Sequence, residues 1–118
     1  MDSFLIKGGV PLHGEVAISG AKNAVLPIMA AALLTREPCV IRRVPNLSDV
    51  RFMGQILNWL GAKVTIAGDE VRVQAAKIKG VGDYDLVRKM RASVCIMGPL
   101  LGRLRSASVS LPGGCVIG

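Results

Sequence analysis

The longest uninterrupted apolar run of the sequence, Ala24–Leu34, sets the strongest limit on its fold. Its 11 residues are too few for a membrane-spanning helix, which needs about 20. A run this apolar is therefore expected in a protein core. The preceding residues Val10–Ile18 alternate loosely in polarity and lead into Ser19-Gly20. The order predicts a strand over Val10–Ile18, a glycine turn, and a buried helix over Ala21–Leu34.

Pro27 lies inside the predicted helix. A proline nitrogen carries no hydrogen, so one bond of the helical ladder is lost. Because proline is best tolerated in the first turn, we expect either an irregular first turn or a helix start nearer Leu26.

Short strands and helices alternate along the rest of the chain. The pattern predicts a strand at Cys39–Ile41 and then a helix that Ser48 caps and a left-handed Gly61 ends. The apolar residues of that helix that repeat at helical spacing are Val50, Met53, Ile56, Leu57 and Leu60. A hairpin of residues 63–66 and 71–73, joined through Gly68-Asp69, is predicted next. A third helix is expected to be capped by residues 83–85 and stopped near Gly98 by Pro99, with a buried stripe of Leu86, Met90, Val94 and Met97. The last predicted element is a strand over Ser106–Leu111. The fold class is therefore α/β, or α+β. Residues 109–118 repeat the opening of the first strand, turn and helix, so we expect a part of a longer chain.

The charge balance favours anionic partners. Fifteen lysines and arginines against eight acidic residues give a net charge of +7. Aromatic residues make up only 3% of the chain, which argues against a nucleic-acid partner because single strands are bound by stacking on aromatic side chains. The beginning of the sequence lacks the pattern of a secretory signal, so a cytoplasmic protein is expected. The three cysteines show no spacing typical of zinc sites or disulfide frameworks.

Two basic segments are candidate anion sites. Lys22 and Asn23 follow the glycine turn, where a helix start would add free backbone N–H groups to the lysine charge. Arg88 and Arg91 are spaced to share one face of the third helix, with Lys89 between them. For both segments the alternative is an ordinary solvated surface, and the local sequence leaves that alternative open.

Cys115 differs from the other cysteines. Cys39 and Cys95 lie among apolar residues and are expected to act as small core side chains. Cys115 follows Pro112-Gly113-Gly114, a turn with little side-chain cover, in a strongly basic chain. Such surroundings favour a reactive or proton-donating thiol, although a structural loop cysteine is the alternative.

Three motifs in order resemble the UDP-N-acetylglucosamine enolpyruvyl transferases, which are members of the EPSP synthase family. They are Ile-Ser-Gly-Ala-Lys-Asn-Ala at residues 18–24, Tyr-Asp-Leu-Val-Arg-Lys-Met-Arg-Ala-Ser at residues 84–93, and Leu-Pro-Gly-Gly-Cys at residues 111–115 with Ile-Gly at 117–118. The resemblance implies transfer of enolpyruvyl from phosphoenolpyruvate to the 3-hydroxyl of UDP-N-acetylglucosamine with release of phosphate. It implies a place at the first committed step of peptidoglycan synthesis, and with it a role in cell shape and cell division. No cofactor and no metal are expected.

The resemblance also implies roles for single residues. Lys22 and Asn23 correspond to residues that contact phosphoenolpyruvate, and Arg91 corresponds to an arginine that helps to bind the UDP-sugar. Cys115 corresponds to a loop cysteine that donates a proton, forms a covalent adduct with phosphoenolpyruvate, and is alkylated by fosfomycin.

The fold of this family implies a two-domain inverse α/β barrel of repeated α/β units, with buried helices and outer sheets. Residues 1–20 are then expected to pack as a strand with the second domain, and residues 21–118 to form the first part of the N-terminal domain. The rest of the longer chain is then expected to be a partner of this 118-residue piece, and the piece alone is expected to be inactive.

Two alternatives remain. The shikimate-pathway enolpyruvyl transferase also uses phosphoenolpyruvate, but the cysteine loop is not expected in it. A non-catalytic module that binds a phosphorylated ligand is the second alternative.

Overall fold

The computed structural model of the chain describes residues 3–80 and 91–109. Three α-helices, three strands and two 3₁₀ segments occur in these ranges. In chain order they are α1 (Lys22–Ala31), the first 3₁₀ segment (Ala32–Leu34), β1 (Cys39–Ile41), α2 (Ser48–Trp59), β2 (Lys63–Ala67), β3 (Glu70–Gln74), the second 3₁₀ segment (Arg91–Ile96) and α3 (Met97–Leu104).

The three strands form one antiparallel sheet in the order β1-β3-β2. The two-residue loop Gly68-Asp69 joins β2 to β3, and Gly68 has a φ of 59°, so the predicted hairpin is confirmed. Val73 on the central strand lies between Cys39 and Val64 of its neighbours. Along β3 the side chains alternate between buried and exposed, and Val71 and Val73 are fully buried. One face of the central strand therefore belongs to the core.

Helix α2 packs against β2, the first 3₁₀ segment packs against β3, and α1 lies against α2. The completely buried large side chains come from nearly every element: Met29, Leu33, Val50, Met53, Ile56, Leu57, Leu60, Val71, Val73, Ile96 and Leu100. The stripe predicted for α2 at Val50, Met53, Ile56, Leu57 and Leu60 is confirmed in full. One continuous core forms, as the α/β class requires.

Helix α1 starts earlier in the chain than the start near Leu26 that Pro27 suggested. It starts at Lys22 and contains Pro27, while the last residues of the predicted helix form the first 3₁₀ segment. The helix keeps Pro27 because one lost hydrogen bond costs less than the burial of Val25, Leu26 and Met29 returns. The expected start near Leu26 is therefore wrong.

The left-handed Gly61 predicted to terminate α2 is confirmed: it follows the C-cap residue Leu60 and has a φ of 102°. The Gly61 and Ala62 N–H groups donate to the carbonyl oxygens of Asn58 and Leu57, both at 3.0 Å. This pair of bonds is the Schellman arrangement, which glycine permits because it has no Cβ. At the other end the cap lies one residue earlier than predicted, at Leu47 instead of Ser48.

Three further predictions need correction. Residues 3–21 form neither helix nor strand, so the prediction of a strand over Val10–Ile18 is wrong for this structure. No strand of the described ranges offers hydrogen bonds to this segment. Pro99 does not stop a helix but lies in the first turn of α3, where its missing N–H is not needed. Val94 and Met97 are 39% and 40% exposed, and Ile96 and Leu100 are buried instead.

For the predicted strand over Ser106–Leu111, the described part shows only an isolated bridge at Ser108. Its N–H donates to the Gly80 carbonyl oxygen at 2.8 Å. The predicted helix caps at residues 83–85, together with Leu86 and Met90, lie outside the described residues.

Candidate active site

Lys22 and Asn23 are the first two residues of α1, and both side chains are exposed. Ala21 precedes them in an extended conformation and has no side chain to cap the helix. Its carbonyl oxygen accepts from the N–H groups of Ala24 and Val25, at 3.1 and 3.0 Å. Helical geometry leaves the earlier N–H groups of Lys22 and Asn23 without acceptors in the helix. Two amide donors and the positive end of a helix dipole thus occur at the start of α1, and Lys22 adds a charged side chain to the same turn.

The turn that leads into α1 is held close to the segment before α2. A Cβ atom at Gly20 would overlap the carbonyl oxygen of Arg43, and it would lie 3.4 Å from the Pro45 side chain. Arg43 itself has a φ of 57°, in the left-handed region that non-glycine residues rarely adopt. The glycine of the predicted turn is therefore required by a close backbone approach, which fixes where α1 begins.

A cleft of about 560 Å³ borders the same turn. Its volume falls within the range of small-molecule pockets, about 300–1,000 Å³. One cationic and one anionic side chain are among its lining residues, which are Ala17, Ile18, Ser19, Arg43, Val44 and Asp69. The surface beside the start of α1 is therefore concave.

Lys22 also makes an ion pair that the sequence did not reveal. Its Nζ lies 2.9 Å from Oδ2 of Asp49, in the first turn of α2. The two side chains are 52% and 35% exposed, so the pair lies at the surface. This contact brings the N-terminal ends of α1 and α2 together. An acidic residue in the first turn of a helix is common, and no local pattern connected Asp49 with Lys22.

The second basic segment is only partly described. The second 3₁₀ segment begins at Arg91 and packs against α1, so the backbone at Arg91 belongs to an element in contact with the lysine helix. The Arg91 side chain, Arg88 and Lys89 lie outside the described part of the structure. Cys115 and its glycine-rich loop also lie outside it.

The remaining cysteines behave as expected. Cys39 and Cys95 are free thiols, half-buried, and packed against the core. Within residues 3–80 and 91–109, no three His, Cys, Asp or Glu side chains are grouped so that they would hold a metal ion. In the same ranges no helix combines the length and the apolar character that a membrane crossing requires.

The fold matches a solved enolpyruvyl transferase. The crystal structure of the enolpyruvyl transferase NikO from Streptomyces tendae superimposes with a TM-score of 0.67 over 80% of this chain and 22% of that chain, at 27% sequence identity. The architecture is thus an α/β part of an enolpyruvyl-transferase fold. The profile of the EPSP synthase (3-phosphoshikimate 1-carboxyvinyltransferase) family matches residues 6–118. The chain belongs to the EPSP synthase family.

Among the relatives, two proteins named UDP-N-acetylglucosamine 1-carboxyvinyltransferase align along the entire chain. The one from Methylacidiphilum infernorum is 59% identical and the one from Akkermansia muciniphila is 53% identical, each over 118 residues. The chain spans 28% of the length of each relative.

Proposed function

We propose that the chain is the N-terminal part of a transferase that moves enolpyruvyl from phosphoenolpyruvate to the 3-hydroxyl of UDP-N-acetylglucosamine. The observation that carries this proposal is the 59% identity, over all 118 residues, to a relative named UDP-N-acetylglucosamine 1-carboxyvinyltransferase. Two anionic substrates also account for a chain with a net charge of +7 that has few aromatic residues.

The reaction is an addition followed by an elimination. In the addition, C3 of phosphoenolpyruvate gains a proton, the sugar 3-oxygen bonds to C2, and the hydroxyl proton is lost. In the elimination, C3 loses a proton, the bond between C2 and the phosphate oxygen breaks, and inorganic phosphate leaves. Negative charge grows on the departing phosphate, so a fixed cation beside it lowers the barrier.

Lys22 and Asn23 are proposed to hold phosphoenolpyruvate. The support is geometric, because Lys22 and Asn23 are the first two residues of α1, where amide N–H groups have no acceptor within the helix and can bind an anion. Arg91 is proposed to bind the UDP-sugar, and its segment packs against the same helix. A guanidinium group suits a diphosphate because it donates two parallel hydrogen bonds.

Cys115 is proposed to give the proton to C3, to form a covalent adduct with phosphoenolpyruvate, and to be the residue that fosfomycin alkylates. A mobile acid on a glycine-rich loop suits a step in which a carbon atom is protonated. This role rests on the motif at residues 111–115.

The domain assignment remains part of the proposal. Residues 1–20 are proposed to pack as a strand with the second domain of the complete protein, and residues 21–118 to start the N-terminal domain. The described part of that segment supports this placement, since Leu12 and Ile18 are 94% and 84% exposed and neither belongs to the hydrophobic core of the described residues. The piece alone is then inactive, because the remaining substrate-binding groups lie elsewhere in the complete protein.

The cellular setting follows from the reaction. We place the protein in the cytoplasm, at the first committed step of peptidoglycan synthesis, with effects on cell shape and cell division. No nucleic-acid partner and no membrane attachment are proposed.

Shikimate 3-phosphate must be tested as a second enolpyruvyl acceptor. The matching family is described by the name 3-phosphoshikimate 1-carboxyvinyltransferase. The assay measures phosphate release from phosphoenolpyruvate by the complete protein, with UDP-N-acetylglucosamine, with shikimate 3-phosphate, or with no acceptor. We expect release only with the UDP-sugar. Release only with shikimate 3-phosphate would assign the protein to the shikimate pathway. Binding of the UDP-sugar without any release would identify a binding module.

A further inference from the structure

The ion pair of Lys22 and Asp49 joins the N-terminal ends of two helices. Lys22 is the first residue of α1, and Asp49 is the second residue of α2. The distance from Nζ to Oδ2 is 2.9 Å, which is a charge-assisted hydrogen bond. The end of the Lys22 side chain therefore lies directly beside the Asp49 carboxylate.

Stability is a poor explanation for this pair. Both side chains are substantially exposed, and ion pairs in water contribute little to folding. The core beneath them is already closed by fully buried side chains of the same two helices, among them Met29 and Met53. The effect of Asp49 has to be sought in what Lys22 does.

A lysine has four flexible carbon–carbon bonds, so its ammonium group samples many positions when nothing holds it. Contact with Asp49 uses one of its three N–H donors and leaves two for an anion. The same carboxylate repels an approaching anion, which weakens binding. Asp49 thus has two opposing effects on the substrate anion. It favours the reaction by holding the ammonium group in one position, and it weakens anion binding by adding a negative charge nearby.

We propose that Asp49 is a positioning residue that holds the Lys22 ammonium group in line with the departing phosphate. The inference rests on the proposed function. It predicts that kcat and KM respond differently to loss of the Asp49 charge. The value of kcat falls because Lys22 is no longer held in position. The KM for phosphoenolpyruvate does not rise, because a charge that repels the substrate is removed.

The test compares Asp49→Asn with Asp49→Glu in the complete protein. Asparagine keeps the shape of the side chain and its tolerance of a helix start, but it lacks the charge. Glutamate keeps the charge on a side chain that is one methylene longer. We expect Asp49→Asn to lower kcat about tenfold without raising the KM for phosphoenolpyruvate, and Asp49→Glu to stay within about threefold of the parent.

The matched control is Glu37→Gln, which removes an exposed carboxylate beyond the opposite end of α1. Its kinetic constants should equal those of the parent, which excludes a general effect of net charge. Thermal midpoints of all variants should agree within about 2 °C, which excludes unfolding as the cause.

Each other outcome overturns the inference. An unchanged kcat in Asp49→Asn shows that Lys22 needs no partner. Equal losses of kcat in Asp49→Asn and Asp49→Glu show that the site tolerates only the aspartate shape at residue 49. If activity falls in Asp49→Asn because the KM for phosphoenolpyruvate rises, the binding site has collapsed. If the parent releases no phosphate with UDP-N-acetylglucosamine, the proposed function itself fails, and that result is read before any variant is compared.

Discussion

The guanidinium group of Arg103 binds the carbonyl oxygen of Leu33, with 2.8 Å between Nη1 and the oxygen. The same Nη1 donates to the Thr35 carbonyl at 3.0 Å, and Nη2 donates to the Ala76 carbonyl at 3.0 Å. Leu33 and Thr35 follow α1, and Ala76 follows β3. One half-buried side chain on α3 thus connects the end of the first helical region with the end of the central strand.

Replacement of Arg103 by methionine should therefore destabilise the complete protein. Methionine keeps much of the side-chain volume but leaves three carbonyl oxygens without their charged donor. We expect a loss of about 2–4 kcal/mol in the free energy of unfolding, measured by urea denaturation. The control is Arg51→Met, because the Arg51 guanidinium group donates an exposed hydrogen bond to Asn46, and its loss should cost less than about 1 kcal/mol. Equal losses in the two variants would show that the carbonyl contacts of Arg103 contribute nothing special.

Gly61→Ala should weaken the end of α2. The backbone at Gly61 has a φ of 102°, and a Cβ there would lie 2.8 Å from the Lys77 carbonyl oxygen. Strain and overlap together should cost about 1–3 kcal/mol of unfolding free energy, measured in the same way.

The matched control for Gly61 is Gly98→Ala in α3. Among the residues that the structure describes, a Cβ at Gly98 meets nothing within 4 Å, and alanine favours a helix. That variant should be unchanged or up to about 1 kcal/mol more stable. A Gly61→Ala protein as stable as the parent would contradict the left-handed cap.

Lys22→Ala should impair the use of phosphoenolpyruvate much more than the binding of the UDP-sugar. Removal of a charged donor from the helix end should lower kcat/KM for phosphoenolpyruvate about 10- to 100-fold. The Kd for UDP-N-acetylglucosamine, measured by calorimetry, should change by less than about threefold. Lys63→Ala removes the same charge from the exposed start of β2 and should leave both constants unchanged. Parallel loss of both constants in Lys22→Ala would instead indicate that the site has collapsed.

Cys115→Ser in the complete protein should abolish alkylation by fosfomycin and depress turnover near neutral pH. A serine hydroxyl is far less ionised than a thiol and is the weaker nucleophile and acid. Intact-mass spectrometry after incubation with fosfomycin measures the adduct, and Cys95→Ser serves as the control that should still be alkylated. An undiminished adduct on Cys115→Ser would mean that another cysteine reacts.

Local patterns sufficed for the elements whose signals lie close together in the chain. The hairpin through Gly68-Asp69 depends on a two-residue turn, and the end of α2 depends on a glycine directly after an apolar stripe. A helix following the glycine turn was also predictable from the apolar run, but Pro27 left its start open, and the structure places that start at Lys22. In each case the deciding atoms are separated by only a few residues.

Other features needed the folded chain. Pro27 remains inside α1 because burial of neighbouring side chains outweighs the cost of a proline there. Pro99 is accommodated because it lies in the first turn of α3. The alternating residues 10–18 do not form a strand, since alternation alone supplies no hydrogen-bonding neighbour.

The sequence by itself determined the α/β class, the buried stripe of α2, the hairpin, and a helix after the glycine turn in a basic chain. Tertiary structure alone decided that Asp49 meets Lys22 and that Arg103 reaches Leu33, Thr35 and Ala76. The physical reason is how far apart along the chain the interacting residues lie. Helical and turn signals are set by bonds between near neighbours in the chain, whereas these polar contacts join residues that only the packing of α1, α2 and α3 brings within hydrogen-bond distance.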